Sequence, residues 1–328
     1  MKIIINKLSN DNWQNLLSKS SNSSPFQTLK YFNFFNSIEG FASDVFAVEE
    51  EGEYTSIMVV TIQKEKGFKA NLSKRGIVYG GPVFSSLTSL SFLLKEVKNY
   101  YGNNLIYIET RNFFDYSEAK SVFKENDFEY TPWLNFHLNS SDEVTMKKNI
   151  SSSRLRQIKK AIKNGVIWKE ASNLDEVKAF YEILHELYVE KIKKPLLPKS
   201  FFEEFYNQGI GKYLLIMFED KVIGGIMCPV FPNKTIYEFY IAGKDKEYKN
   251  QYPSVMATWA AMEYAIQNNI PVFDFMGAGS PTEDYGVRDF KSRFGGAEVE
   301  HGRFKLILNP LKYKIGVLGL KGMLKKKK

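Results

Sequence analysis

Near the end of the chain, Asp289-Phe290-Lys291-Ser292-Arg293-Phe294-Gly295-Gly296 sets cations among phenylalanines. Shortly before it, Asp274 lies in the apolar run Val272 to Met276, with Gly277 and Gly279 beyond. A carboxylate at a strand end, a glycine-rich loop and then a lysine make a candidate chemical site. Lys291 can stabilise a developing oxyanion or neutralise a phosphate, and Phe290 beside it suggests a packed segment that lines a substrate. Arg293 is a candidate second phosphate contact. Asp274 either orients an amine or Lys291, or caps the turn at Gly277, and spacing leaves both readings open.

These residues need elements to position them. Ile236-Tyr237-Glu238-Phe239-Tyr240-Ile241 alternates like a strand. Tyr237 and Tyr240 then face opposite sides, and Tyr240, next to Ala242-Gly243, is the one expected to line a substrate channel. Pro253 suits a first helical position, and Val255, Trp259, Met262 and Ile266 recur on one helical face. Pro271 ends that helix before the strand carrying Asp274. Further upstream, Ser151-Ser152-Ser153 offers caps for a helix with Leu155, Ile158 and Ile162 on one face. Arg154, Arg156, Lys159, Lys160 and Lys163 load the rest, and Asn164-Gly165 ends it. The bland reading is a solvated basic face; the sharper one is a phosphate or nucleic-acid contact.

A chain of 328 residues suggests more than one domain, and 44% apolar content is ample for real cores. Cys228 is the only cysteine, which rules out an internal disulfide and makes a reducing compartment the default. His137, His185 and His301 are scattered, with no metal-binding spacing and no Ser-His-Asp order, so no metal is expected. Met276-Gly-Ala-Gly-Ser280 holds a lone GxG, a weak signal. The apolar run at Met1 to Asn6 is too short for a signal peptide, and no stretch reaches the ~18 apolar residues of a spanning helix, so a cytoplasmic protein is expected. The net charge is +8, to which Lys325 to Lys328 contribute half. It fits a polyanionic substrate or an anionic membrane surface.

The coarse element order runs hairpin, strand, long helix, strand, helical segment, strand, and it occurs in both halves. The residues do not match, so elements repeat and sequence does not. The expected fold is α+β, with an N-terminal domain over 1–145, a C-terminal domain over 146–308 and a basic tail over 309–328. Phe128 to Leu138 reads as the last strand of the first domain and His301 to Leu308 as the last of the second. In the tail, Leu311, Ile315, Leu318 and Leu324 can share a helical face surrounded by lysines. That pattern suits either packing on the first domain or peripheral association with the inner face of an anionic membrane.

These residues also carry a resemblance. The chain resembles the FemAB family of peptidyl (aminoacyl) transferases and its acetyltransferase-like relatives in the GNAT superfamily. The matching motifs are the basic helix from Arg154 to Val166; Tyr240-Ile-Ala-Gly243 with the Pro-led helix after it; and Asp274-Phe-Met-Gly277 followed by Gly286-Val287 and Phe290-Lys291-Ser-Arg-Phe294-Gly295. The resemblance implies tandem GNAT-like domains and transfer of an acyl or aminoacyl group to an amine. The donor would be a co-substrate, aminoacyl-tRNA or acyl-CoA, with no tightly bound cofactor. The acceptor would be a peptidoglycan or other cell-wall or polysaccharide precursor. The lysine that lies in the family's active-site channel carries over to Lys291. Tyr248 to Tyr252 contains no glycine, unlike the pyrophosphate loop of acetyl-CoA enzymes, which favours the aminoacyl-tRNA donor. Ile108-Glu109-Thr110-Arg111 stands where peptidoglycan-bridge enzymes tend to have Asp-Pro, a departure that weighs against a peptidoglycan acceptor, and Arg111 is a further candidate substrate contact. The alternatives are an acyl-CoA-dependent N-acyltransferase acting on an amino sugar or lipid in surface polysaccharide synthesis, and an inactive tandem GNAT binding module.

Overall fold

The computed structural model describes residues 1–64 and 73–325, with side chains as far as Leu318. The expectations placed on Leu324 and on Lys325 to Lys328 lie outside the described side chains. Contacts divide the chain into two compact units, Met1–Pro132 with His301–Lys328, and Trp133–Glu300.

The first unit holds an eight-stranded sheet. Its strands are β1 (Lys2–Ile5), β2 (Phe41–Glu50), β3 (Glu53–Gln63), β4 (Arg75–Gly80), β5 (Val83–Phe84), β6 (Tyr107–Asn112), β7 (Glu129–Thr131) and, from the far end of the chain, β16 (Arg303–Ile307). They lie in the order β1-β2-β3-β4-β6-β16-β7, with β5 on β3. The β2–β3 hairpin turns through Glu51 and Gly52, both at positive φ (52° and 85°), which the tight hairpin turn requires. Period-2 alternation splits the hairpin's apolar residues between two cores. Phe46, Val48, Met58 and Val60 meet Leu90, Leu93, Leu94 and Val97 of α3 (Leu87–Tyr101). Val45, Ile57 and Val59 meet Trp13, Leu16 and Leu17 of α1 (Asn10–Ser18). α3 is capped by Ser86, whose hydroxyl accepts from the Ser89 amide at 3.1 Å. It carries the chain from β4 to β6, which pair in parallel.

The second unit holds another eight-stranded sheet. Its strands are β8 (Leu134–Asn139), β9 (Ile167–Glu170), β10 (Gly211–Phe218), β11 (Lys221–Phe231), β12 (Thr235–Tyr237), β13 (Tyr240–Gly243), β14 (Val272–Asp274) and β15 (Ala297–Glu300). The order is β15-β8-β14-β12-β11-β10-β9, with β13 on β11. Here the crossover is α9 (Pro253–Gln267), which joins β13 to β14, the parallel partner of β12. The expected apolar face of α9 is present, but its other faces are buried too: Met256, Ala257, Ala260 and Ala261 are inside with Val255, Trp259 and Met262. Small residues let neighbours close in on every side. Losing the Trp259 side chain from such a site costs about 3–5 kcal/mol.

The mixed α+β architecture follows the expected order of elements, and the structure differs from the sequence reading in three respects. The run from Phe128 to Leu138 is two strands, β7 in the first sheet and β8 in the second. The strand expected to close the second unit, β16, pairs with β6 and β7 of the first. Contacts therefore divide the units at Pro132 and Glu300, whereas the sequence reading drew its boundaries at 145 and 308. The cause is that antiparallel pairing is decided by partners distant in sequence, and alternation does not name the partner.

Candidate active site

The strand expected over Ile236 to Ile241 is interrupted. β12 pairs with β14 from Thr235↔Val272 to Tyr237↔Asp274, while β13 pairs with β11 alone. At the break, the Glu238 amide donates to the Asp274 carbonyl at 2.9 Å and the Phe239 amide to the Met227 carbonyl at 3.0 Å. Beyond Asp274 the chain turns away through Met276 at φ 54° and Gly277 at φ 114°. The strands thus part at Glu238 and Asp274, and carbonyls that a sheet would otherwise satisfy face the split.

Lys291 fills it. The residue lies on α10 (Gly286–Ser292) and is buried. Its ammonium donates to the Phe275 carbonyl at 2.5 Å and the Gly277 carbonyl at 2.9 Å, and stands 3.1 Å from Glu238 Oε1. An ammonium has three hydrogens, and these contacts use all of them. Glu238 is 4% exposed, and its other oxygen accepts from the Thr258 hydroxyl of α9 at 3.4 Å. Burial raises the Glu238 carboxyl above its ordinary pKa, and the Lys291 charge only partly offsets this. A buried carboxylate that holds protons more readily than usual, paired with a cation, is an arrangement suited to proton transfer.

Asp274 serves a neighbouring network. Its Oδ1 accepts from Asn135 Nδ2 at 2.7 Å and from the Met276 amide at 2.6 Å, and Oδ2 lies 3.1 Å from His137 Nε2. Asn135 Oδ1 in turn accepts from the Gly277 amide at 2.7 Å. Of the two readings left open by the sequence, the contacts match a carboxylate that caps the turn. Burial works against a charge on His137, but Asp274's hydrogen bond and charge raise its pKa above the ordinary value.

The other candidates distribute as follows. Tyr237 is buried, whereas Tyr240 is half-buried among rings, 5.0 Å from Phe202 and 4.9 Å from Phe239 between centroids. Phe290 packs on Phe294 at 5.4 Å, and the Arg154 guanidinium lies 4.5 Å from the Phe290 ring and 4.9 Å from that of Phe294. Arg154 is buried, so it ties α6 (Ser152–Lys163) to the lysine-bearing segment and leaves the solvent face to its neighbours. Burial, and then the charge of Arg293, lower its pKa. Arg156, Lys159 and Lys160 are exposed on α6, with Lys160 donating to Asn250 Oδ1 at 2.9 Å. Arg293 is exposed and paired with Asp289 at 2.8 Å. Arg111 lies in the first unit, 3.1 Å from Glu109.

The sequence reading missed Glu238, Asn135, Thr258 and Asp245. Asp245 accepts from the Ser254 amide at 3.1 Å and the Ser254 hydroxyl at 2.5 Å, so a carboxylate occupies the first turn of α9. A Cβ on Gly243 would come within 2.5 Å of the same amide, so the loop lies flat on the helix end. A helix N-terminus closed by a carboxylate is a poor site for a pyrophosphate. Among the described residues there is no group of His, Cys, Asp and Glu that could hold a metal, and no helix is long and apolar enough to cross a membrane.

Residues 219–318, which contain Glu238, Asp274 and Lys291, match the FemAB family. The recognition made from the motifs is borne out over that segment, which carries the Tyr240, Asp274 and Lys291 motifs. Its fold is similar to a crystal structure of FemX, with a TM-score of 0.75 at 14% identity over 96% of this chain and 99% of that one. It is also similar to the C-terminal domain of a putative lysylphosphatidylglycerol synthetase from Agrobacterium fabrum, with a TM-score of 0.60 at 8% identity over 95% and 94%. A tandem GNAT protein from the clavulanic acid biosynthesis pathway matches with a TM-score of 0.60 at 7% identity over 94% and 99%. No curated protein matches the sequence.

Proposed function

We propose that this FemAB-family chain moves an aminoacyl group from an aminoacyl-tRNA to an amine of a cell-envelope precursor. The observation that carries the reading is the Glu238–Lys291 pair, buried where the strands part, inside the segment that matches the family. Aminolysis of an ester needs a deprotonated amine, aligned reactants and a stabilised oxyanion. Glu238 takes the proton of the attacking amine as the nitrogen bonds to the carbonyl carbon. Lys291 stabilises the oxyanion by exchanging one of its backbone carbonyl contacts for it. The carbon–oxygen bond to the tRNA ribose then breaks, and the leaving oxygen takes the proton back from Glu238.

For the donor, the Asp245 carboxylate at the start of α9 disfavours the pyrophosphate of CoA, and the exposed cations Arg156, Lys159 and Lys160 favour a polyanion. For the acceptor, α11 (Pro310–Lys325) carries exposed Leu311, Ile315 and Leu318, with Lys312 and Lys314 on the same helix. An apolar stripe flanked by lysines favours work at the inner face of a membrane. The name of the lysylphosphatidylglycerol synthetase domain points the same way.

The test supplies the full chain with a radiolabelled aminoacyl-tRNA pool and with nucleotide-linked and lipid-linked peptidoglycan precursors. The expected result is ribonuclease-sensitive labelling of one of them. Transfer from an acyl-CoA in the absence of RNA would overturn the donor. Co-sedimentation with anionic vesicles tests the membrane part: a chain ending at Asn309 should bind more weakly than the full chain, and equal binding would overturn it.

A further inference from the structure

Lys291 is carried by a short element. α10 has seven residues, and no side chain caps its start at Tyr285. A helix of that length does not hold itself in water, so the position at which Lys291 enters the strand split is set by what α10 packs against. Part of that support is the start of α6, in the same compact unit. The Ser151 amide donates to the Arg293 carbonyl at 3.0 Å, while the Ser151 hydroxyl caps α6 by accepting from the Arg154 amide at 3.4 Å. Gly295 has φ 85°, and a Cβ there would run into the Asn149 carbonyl. The chain leaving α10 therefore lies flat on the chain entering α6.

Arg154 closes this junction from inside. Its Nη2 donates to the Phe290 carbonyl at 3.4 Å and its Nη1 to Gln157 Oε1 at 2.8 Å. The guanidinium stacks near the rings of Phe290 and Phe294, which flank Lys291 in sequence. Phe294 in turn packs on Phe275 at 6.2 Å between centroids, and the Phe275 carbonyl is one of the three groups that hold the Lys291 ammonium. Arg154 is 7% exposed, and its Nε is buried without a partner among the described residues. Asp289 and Asp245 attract its charge without forming an ion pair with it, and Arg293 repels it. A leucine would fill the same space without burying a charge or an unpaired N–H. What the guanidinium adds is a directed bond to one carbonyl and a flat contact with two rings, and both fall on the turn that bears Lys291.

We propose that Arg154 is a positioning residue for Lys291: through the Phe290 carbonyl and the Phe290 and Phe294 rings, it fixes the turn of α10 so that the ammonium reaches Phe275, Gly277 and Glu238 together. The inference rests on the transfer reading, in which Lys291 stabilises the oxyanion, and it gives that site a second cation that acts without touching substrate. It also separates Arg154 from the exposed cations Arg156, Lys159 and Lys160 of the same helix.

Acetylation of the full chain by N-hydroxysuccinimidyl acetate, followed residue by residue with peptide mass spectrometry, tests the hold on Lys291 without any substrate. In the wild-type chain Lys291 should label far more slowly than exposed Lys221. Arg154→Met should speed Lys291 labelling about tenfold or more, as a local opening becomes easier. Arg154→Lys, which keeps a charge over the rings and loses the planar fork, should do the same and carries the test if the methionine variant does not fold. Phe180→Leu, a packing loss outside the core that holds Phe290 and Phe294, should lower Tm and leave Lys291 protected. In transfer, both Arg154 variants should lower kcat by about tenfold to 10²-fold, the scale of a ~1 Å misplacement, with KM for each substrate nearly unchanged. Neither should lower the residual rate of Lys291→Met further. Lys291 that stays protected in a folded Arg154→Lys chain would overturn the assignment, as would labelling that rises equally in Phe180→Leu. A raised KM at unchanged kcat, which marks a substrate contact, or an equal further loss in the Lys291→Met chain would overturn it too. Faster labelling of Lys291 in the Arg154 variants of a chain that transfers nothing as wild type would leave the positioning in place and count against the proposed reaction alone.

Discussion

The two units build the same crossover and finish it differently. In the first, β4 and β6 stay paired in parallel from Gly76↔Ile108 to Gly80↔Asn112. The chain beyond β4 is closed by a neutral group: the Tyr116 hydroxyl lies 3.0 Å from the Gly80 carbonyl and 2.7 Å from that of Pro82. In the second, the parallel ladder stops at Tyr237↔Asp274, and the carbonyls beyond it are closed by the Lys291 ammonium with Glu238 beside it. One scaffold therefore takes either a phenol or an ion pair at the strand end. Only the second choice places a proton acceptor and a cation together in a water-poor setting, where charge interactions are strong. The first unit keeps Arg111, Arg303 and Lys305 around Glu109 on a sheet face that solvent reaches.

The largest effect expected from this contrast is on stability. Lys291→Met leaves Glu238 buried without its cation and should cost about 3–5 kcal/mol, whereas Lys291→Met with Glu238→Gln should recover most of that loss. Denaturant unfolding of the single and double variants checks it. An unchanged midpoint for Lys291→Met would break the comparison, because the ammonium would then be holding nothing.

Tyr116→Phe, the counterpart in the first unit, removes one neutral donor from buried carbonyls and should cost about 1–3 kcal/mol while leaving transfer intact. Loss of transfer at preserved stability would show that the first strand end is also part of the reaction.

A smaller effect concerns pH. His137 has its folded pKa raised above the ordinary 6.5 by Asp274, despite burial. A raised base contributes stability that is present in full below the unfolded pKa and disappears as pH climbs through the folded one. The deficit of His137→Gln should therefore be largest below pH 6.5 and shrink above it. Unfolding midpoints across pH 5.5 to about 8.5 read this directly, and a pH-independent deficit would contradict the pair.

Smallest of all, Arg293→Ala removes an exposed pair with Asp289 and should change stability by no more than about 0.5 kcal/mol.

Periodicity made the elements legible and left the pairing illegible. The pattern Leu155, Ile158 with a serine cap gave α6, and the hairpin around Glu219-Asp220 turns through positive φ at both residues, as short polar turns do. Which sheet receives β8 and β16 depends on partners more than a hundred residues away, and local alternation carries no such information. In the site, Lys291 was legible from its phenylalanine flanks. Glu238 was overlooked, although it shares the face of buried Ile236 in an alternating strand, and a carboxylate on an apolar face is itself a signal. Arg154 reads as one of several cations on a helix. Its burial over Phe290 and Phe294 depends on a segment far along the chain.

The central claim is that Glu238 and Lys291 act as one catalytic unit, and a double-mutant cycle on transfer tests it most directly. Glu238→Gln, Lys291→Met and the combined variant should each lower kcat by roughly 10²-fold or more, with the combined loss no larger than the greater single loss, as for groups that work together. A folded Lys291→Met or combined variant that transfers at the wild-type rate, or single losses that multiply in the combination, would contradict it.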